Sequence, residues 1–163
     1  MNIIIKNQYL LYRGYKIKCS IGKKGSTYSK KEGDLSTPKG LFKIGLLYYR
    51  KDRVKLSKCK IKKKIIKKNM GWCDDIKSKK YNREIYFPFK YSAEKLYITK
   101  KIYDIFINIK YNYTPVIKGK GSAIFLHLTS QKYKATKGCI AINKKDFMKI
   151  LPLITRTTKI LIK

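Results

Sequence analysis

Phe125-Leu126-His127-Leu128, followed after a polar stretch by Thr136-Lys137-Gly138-Cys139-Ile140-Ala141-Ile142, decides how this chain is read. The pattern predicts a short apolar strand that delivers the chain's one histidine to its end. A polar loop then returns to a glycine–cysteine pair at the mouth of a second apolar run. A cysteine nucleophile needs a base within hydrogen-bond reach, and imidazole is the side chain that serves near neutral pH. Glycine directly before the cysteine lets a carbonyl approach the backbone, where the N–H groups of Gly138 and Cys139 can hold an oxyanion. Two bland alternatives stand beside this one: a buried structural cysteine, and a core histidine satisfied on an apolar strand. Ser122 beside Gly121 has no second histidine to serve it. Cys73 lacks both a preceding glycine and a nearby histidine.

Outward from this block, strand signals dominate. Tyr9–Tyr12 and Tyr15–Ile21 read as a hairpin turned at Arg13-Gly14, followed by a loop from Gly22 to Thr37 bent at Gly25 and Gly33. Pro38 and Gly40 launch a strand over Leu41–Tyr48. Ile102–Ile109, Ser122–Leu128 and Lys159–Ile162 are further strand candidates. Lys58–Lys68 is nearly all Lys and Ile, and its period leaves helix and strand undecided. Gly71–Arg83 reads as an irregular loop. One helix is expected after Cys139, capped by Asn143 with Asp146 three residues on, striped by Phe147, Ile150, Leu151 and Ile154, and bent or ended at Pro152. The fold class expected is mainly β with α elements, a twisted mixed sheet or β-sandwich, in one domain over residues 1–163.

The chain has 163 residues, 41 of them Lys or Arg against nine acids, for a net charge of +32. That excludes an acidic binding protein and predicts polyanion binding at low salt. The cations are 36 Lys and only 5 Arg, and Lys, Ile, Asn and Tyr make up about half the chain. This is the residue set of AT-rich codons, so base bias accounts for the charge better than a selected nucleic-acid surface, which favours the Arg fork. Four cysteines without a CxxC pair, and one histidine, make no zinc site of ordinary spacing, and no cofactor is called for. No apolar run approaches a membrane span, and Met1–Lys6 is too short an apolar start for a secretory signal.

A second motif lies upstream. Gly33-Asp34-Leu35-Ser36-Thr37-Pro38-Lys39-Gly40-Leu41-Phe42-Lys43-Ile44 fits D-x-x-T-P-x-G-x-F-x-I. Together with the His…Thr-x-Gly-Cys-Ile block it resembles the L,D-transpeptidase (YkuD-type) catalytic domain of peptidoglycan-remodelling bacterial enzymes. The strings Gly71-Trp72-Cys73-Asp74-Asp75, Tyr81-Asn82-Arg83, Tyr111-Asn112 and Gly119–His127 look like a proteobacterial branch of that family. The resemblance implies that Cys139 is the nucleophile, His127 the general base oriented by the Leu128 carbonyl, and Gly138 part of the oxyanion hole. Thr136 takes the family's Ser/Thr place. Lys137 stands where the family has a histidine or arginine, Ala141 where it has an arginine or asparagine, and the His-to-Cys spacing is short.

The activity implied is cysteine-dependent acyl transfer between peptidoglycan stem peptides, without a cofactor, in the periplasm or cell envelope. L,D-carboxypeptidase trimming and non-catalytic polyanion binding are the alternatives. Thr136, Lys137, Trp72, Asp74, Asp75, Tyr111 and Asn112 are the candidate substrate-binding residues. Pairing of the Asp74 and Asp75 carboxylates with surface cations is the blander reading for those two.

Overall fold

The computed structural model describes residues 1–56, 58–130 and 132–163. Fourteen strands and one α-helix follow in order: β1 (Ile3–Lys6), β2 (Tyr9–Tyr12), β3 (Tyr15–Lys18), β4 (Ser26–Thr27), β5 (Thr37–Pro38), β6 (Gly40–Tyr49), β7 (Lys63–Ile65), β8 (Met70–Cys73), β9 (Glu84–Tyr86), β10 (Ala93–Lys95), β11 (Ile105–Ile109), β12 (Phe125–Leu128), β13 (Ile140–Ile142), α1 (Lys144–Ile150) and β14 (Lys159–Ile162). Turns of 3₁₀ helix precede β11 and follow α1. The mainly β, mixed-sheet expectation holds.

One nine-stranded sheet runs β13-β12-β11-β6-β14-β1-β2-β3, with β7 beside β6. Its two ends meet. Just past β3, Ser20 exchanges backbone hydrogen bonds with Ala141 of β13, each 2.8–2.9 Å, so the sheet curls nearly into a barrel. Ile3, Ile5, Leu10, Ile17, Leu47, Ile107, Leu126, Ile140, Ile160 and Ile162 point into it, and Phe147, Ile150, Leu151 and Ile154 fill the same core from α1 and the turn beyond. The opposite face of β6, β11 and β12 carries a second, aromatic core of Tyr48, Phe106 and Phe125, joined by Trp72, Tyr103, Leu96 and Cys139. The antiparallel sheet β10-β8-β9 covers this half. All four residues of β12 are consequently buried, and its sequence shows no polar alternation.

Several expected elements shift. β3 stops at Lys18 because Ser20 turns away to Ala141. Ile102–Ile109 begins as a 3₁₀ turn, and the strand before His127 starts only at Phe125. The Lys/Ile stretch is a strand where it pairs in parallel with β6. Gly71–Arg83 is not all loop: Met70–Cys73 is a strand buried along its whole length, so it lacks the alternation that betrays a half-exposed strand. Asn143 caps α1 as expected, its Oδ1 accepting the Asp146 N–H at 2.8 Å.

Candidate active site

β12 and β13 run parallel, with Leu126 beside Ile140, His127 beside Ala141 and Leu128 beside Ile142. Side chains alternate between faces with a period of two. Leu126, Leu128, Ile140 and Ile142 enter the barrel core, so His127 and Cys139 both face the aromatic side. Cys139 immediately precedes β13 and lies two residues before Ala141, on the same face and diagonal to His127 on the adjacent strand. A slip of one residue in either strand would send one of the two to the opposite face.

The imidazole is 6% exposed and is held from two sides. Its Nδ1 lies 2.8 Å from the Leu128 carbonyl, which fixes the proton there and leaves Nε2 as the acceptor. Tyr103 stands edge-on to the ring, with centroids 5.4 Å apart, and its hydroxyl donates to Glu94 at 2.6 Å. Burial pushes the imidazole pKa down to about 4, the Leu128 carbonyl opposing this. The Cys139 thiol donates to the Ala123 carbonyl at 3.1 Å and accepts the Phe125 N–H at 3.4 Å. Burial, and then the Glu94 carboxylate, push its pKa up to about 12. Both groups are therefore neutral at rest, a thiol and an imidazole rather than a charged pair. Among the described residues no hydrogen bond joins them.

Gly138 has φ of +145°, and a Cβ there would lie 2.9 Å from the Ser36 carbonyl oxygen. Only glycine meets both conditions. Thr136 pins the same peptide: its hydroxyl donates to the Cys139 carbonyl at 2.6 Å and accepts the Gly138 N–H at 3.1 Å. The Gly138 N–H is thus engaged, whereas the Cys139 N–H carries no hydrogen bond among the described residues. Lys30, 4% exposed, packs its chain against Gly121 and Gly138 and pairs with Asp34 at 2.6 Å. That ties the upstream Asp–Thr–Pro motif to the cysteine loop.

His127 and Cys139 line one cavity of about 940 Å³, together with Leu128, Thr136, Lys137, Gly138 and Asp74. The other sequence candidates stand apart from it. Trp72 is buried against Tyr48 and Phe125, because its ring completes the aromatic core. Asp75 closes a turn by accepting the Lys77 and Ser92 N–H groups. Tyr111 and Asn112 hold the 117–121 loop from behind: the tyrosine hydroxyl donates to Lys120 O, and the asparagine amide to Ile117 O and Gly121 O.

Sequence reasoning did not single out Glu94 or Tyr103, and it picked out Asn82 only within the string Tyr81-Asn82-Arg83, with no role in supporting the thiol. Asn82 is 3% exposed and spends every polar atom. Its Oδ1 accepts Trp72 Nε1 at 2.9 Å and the Ala123 N–H at 3.1 Å, and its Nδ2 donates to the Tyr111 and Asn112 carbonyls. It thereby sets Ala123, whose carbonyl receives the thiol. The family-like string Tyr81-Asn82-Arg83 was the available signal.

The family model of the L,D-transpeptidase catalytic domain (YkuD) matches residues 2–162. No curated protein and no solved structure matches the chain.

Proposed function

We propose, for a chain that belongs to the YkuD family of L,D-transpeptidase catalytic domains, that Cys139 and His127 carry out acyl transfer between peptidoglycan stem peptides. The supporting observation is the parallel register that sets the only histidine and a glycine-preceded cysteine on one face of adjacent strands, inside one cavity. The thiol is neutral at rest, so its proton passes to His127 Nε2 as sulfur attacks the diaminopimelate carbonyl of the donor. The tetrahedral oxyanion meets the Cys139 N–H, and the Gly138 N–H joins if it leaves Thr136. Collapse breaks the bond to D-alanine, whose amine leaves with the proton from His127, and a thioester remains. An acceptor amine gives a proton to His127 and attacks the thioester, a cross-link forms, and the proton returns to sulfur. Water in place of the amine yields the trimmed stem instead.

The distribution of acids favours an amine as the incoming group. Five of the nine acids, Asp34, Asp52, Glu84, Asp104 and Asp146, pair with Lys or Arg. Glu32, Asp74 and Glu94 make no such pair among the described residues, despite 41 cations, and all three line the cavity. Outside the cavity only Asp75 is likewise unpaired among the described residues, and the rest of this strongly basic surface repels an ammonium.

Incubation of the protein and of Cys139→Ala with disaccharide-tetrapeptides, followed by liquid chromatography–mass spectrometry, tests the reading. Cross-linked dimers lacking one D-alanine, absent with the variant, are expected. Tripeptide alone would make the enzyme a carboxypeptidase, and unchanged substrate with several donor stems would overturn catalysis.

A further inference from the structure

The aromatic side of the large sheet is covered by β8–β10 only over the second half of β6 and over β11 and β12, and the same side of the start of β6 and of β14, β1, β2 and β3 is exposed or partly exposed. There Leu41, Leu161, Ile4 and Leu11 are register partners on four consecutive strands, and the row continues to Lys16 on β3. Leu41 is 48% exposed, the other three are partly exposed, and none belongs to either buried core. The rows on either side are basic. Lys6, Tyr9 and Lys18 are aligned along one flank, and Lys43 pairs with Lys159 along the other. All five are exposed, and Lys16 lies over the Tyr9 ring, 4.6 Å from its centroid. None of the nine acids falls in β1, β2, β3, β6 or β14.

We propose that this face docks on an anionic lipid bilayer. The central apolar row enters the boundary between headgroups and acyl chains, and the lysine rows reach lipid phosphates on both flanks. Genomic base bias explains an abundance of lysine, but it does not sort apolar and basic residues into parallel rows. Charge complementarity alone also suits a nucleic acid. The apolar row favours lipid, because leucine and isoleucine gain nothing from a phosphodiester backbone, whereas a bilayer takes them out of water. The proposal is independent of the catalytic reading.

Co-sedimentation of the full chain with vesicles of phosphatidylcholine plus phosphatidylglycerol, and with phosphatidylcholine alone, tests it at about 0.15 M salt. Binding to the mixed vesicles only is expected. Leu11→Asn/Leu41→Asn should weaken it about tenfold, with an unchanged melting curve and unchanged affinity for duplex DNA. Leu41→Asn alone, at the most exposed position of the row, should weaken it about threefold and keeps the test open if the double variant does not fold. Lys6→Gln and Lys43→Gln should each cost about fivefold. Vesicle binding that ignores the leucine changes and follows the salt dependence of DNA binding would reduce the face to a general polycation and overturn the proposal. So would DNA binding without vesicle binding.

Discussion

His127 and Gly138 show what single residues are asked to do. With an imidazole pKa near 4, the His127 ring stays unprotonated well below the range where an ordinary histidine, at about 6.5, gains its charge. The acid limb of kcat/KM is therefore expected to hold level from neutrality to about pH 5 and to fall through about pH 4. A pH–rate profile on a stem-peptide donor checks this, and a break near 6.5 would contradict the burial argument. At Gly138, alanine meets both a φ of +145° and the Ser36 oxygen. Gly138→Ala should cost about 2 kcal/mol or more in urea unfolding and abolish turnover in whatever folds. Cys139, His127 and Gly138 were legible in the sequence because the chemistry marks them: one imidazole, and one glycine before a thiol. Glu94 and Tyr103 were not, since what they support, His127 and Cys139, lies tens of residues away and nothing local distinguishes them; Asn82 stood out only as part of a string, not for its hydrogen bonds.

Among elements, the least regular backbone leans on the most heavily used side chain. Ala123 has φ of +51°, and its N–H and carbonyl face Asn82 and Cys139 respectively. Asn82→Ala strands the Trp72 and Ala123 donors and two carbonyls in the interior. A loss of about 3–5 kcal/mol is expected in chemical denaturation, with kcat falling more than KM rises, because the thiol rather than the cleft loses its support. The cap of α1 is a smaller matter: Asn143→Ala should cost about 1 kcal/mol, read by the same method, with activity unchanged. That helix and the flanking hairpin could be read from residue order, since a cap, a stripe and a turn are local signals. β8 could not, because Met70-Gly71-Trp72-Cys73 is buried on both faces and so carries no period. Neither could the pairing of β7 with β6, which tertiary contact alone decides in a run of lysine and isoleucine.

For the molecule as a whole, charge and the buried imidazole set the response to conditions. The imidazole pKa is depressed from 6.5 to about 4 in the folded chain, so the unfolded chain binds the extra proton first as pH falls. The stability contributed by a neutral His127 is full above about 6.5 and drains away between there and about 4, roughly 3 kcal/mol in all. Urea midpoints across that window should drop in the wild type and drop less in His127→Gln. A net charge of +32 makes the compact state repel itself, so melting temperature should climb as sodium chloride rises from about 0.02 M to about 0.5 M. A protein indifferent to salt would show that its lysines are spaced too widely to interact.

The order of strands adds a constraint that belongs to the chain's synthesis. β14 lies between β6 and β1, antiparallel to one and parallel to the other. Residues 40–49 and 3–6 emerge from the ribosome long before 159–162, so the middle of the sheet is empty while the rest of the chain is being made. Until that strand arrives, the half bearing His127 and Cys139 has no framework joining it to the amino-terminal hairpin through β6. The nine-stranded sheet can therefore be completed only once residues 159–162 have been made, and before that the Ser20–Ala141 seam holds the two halves together without its central strand.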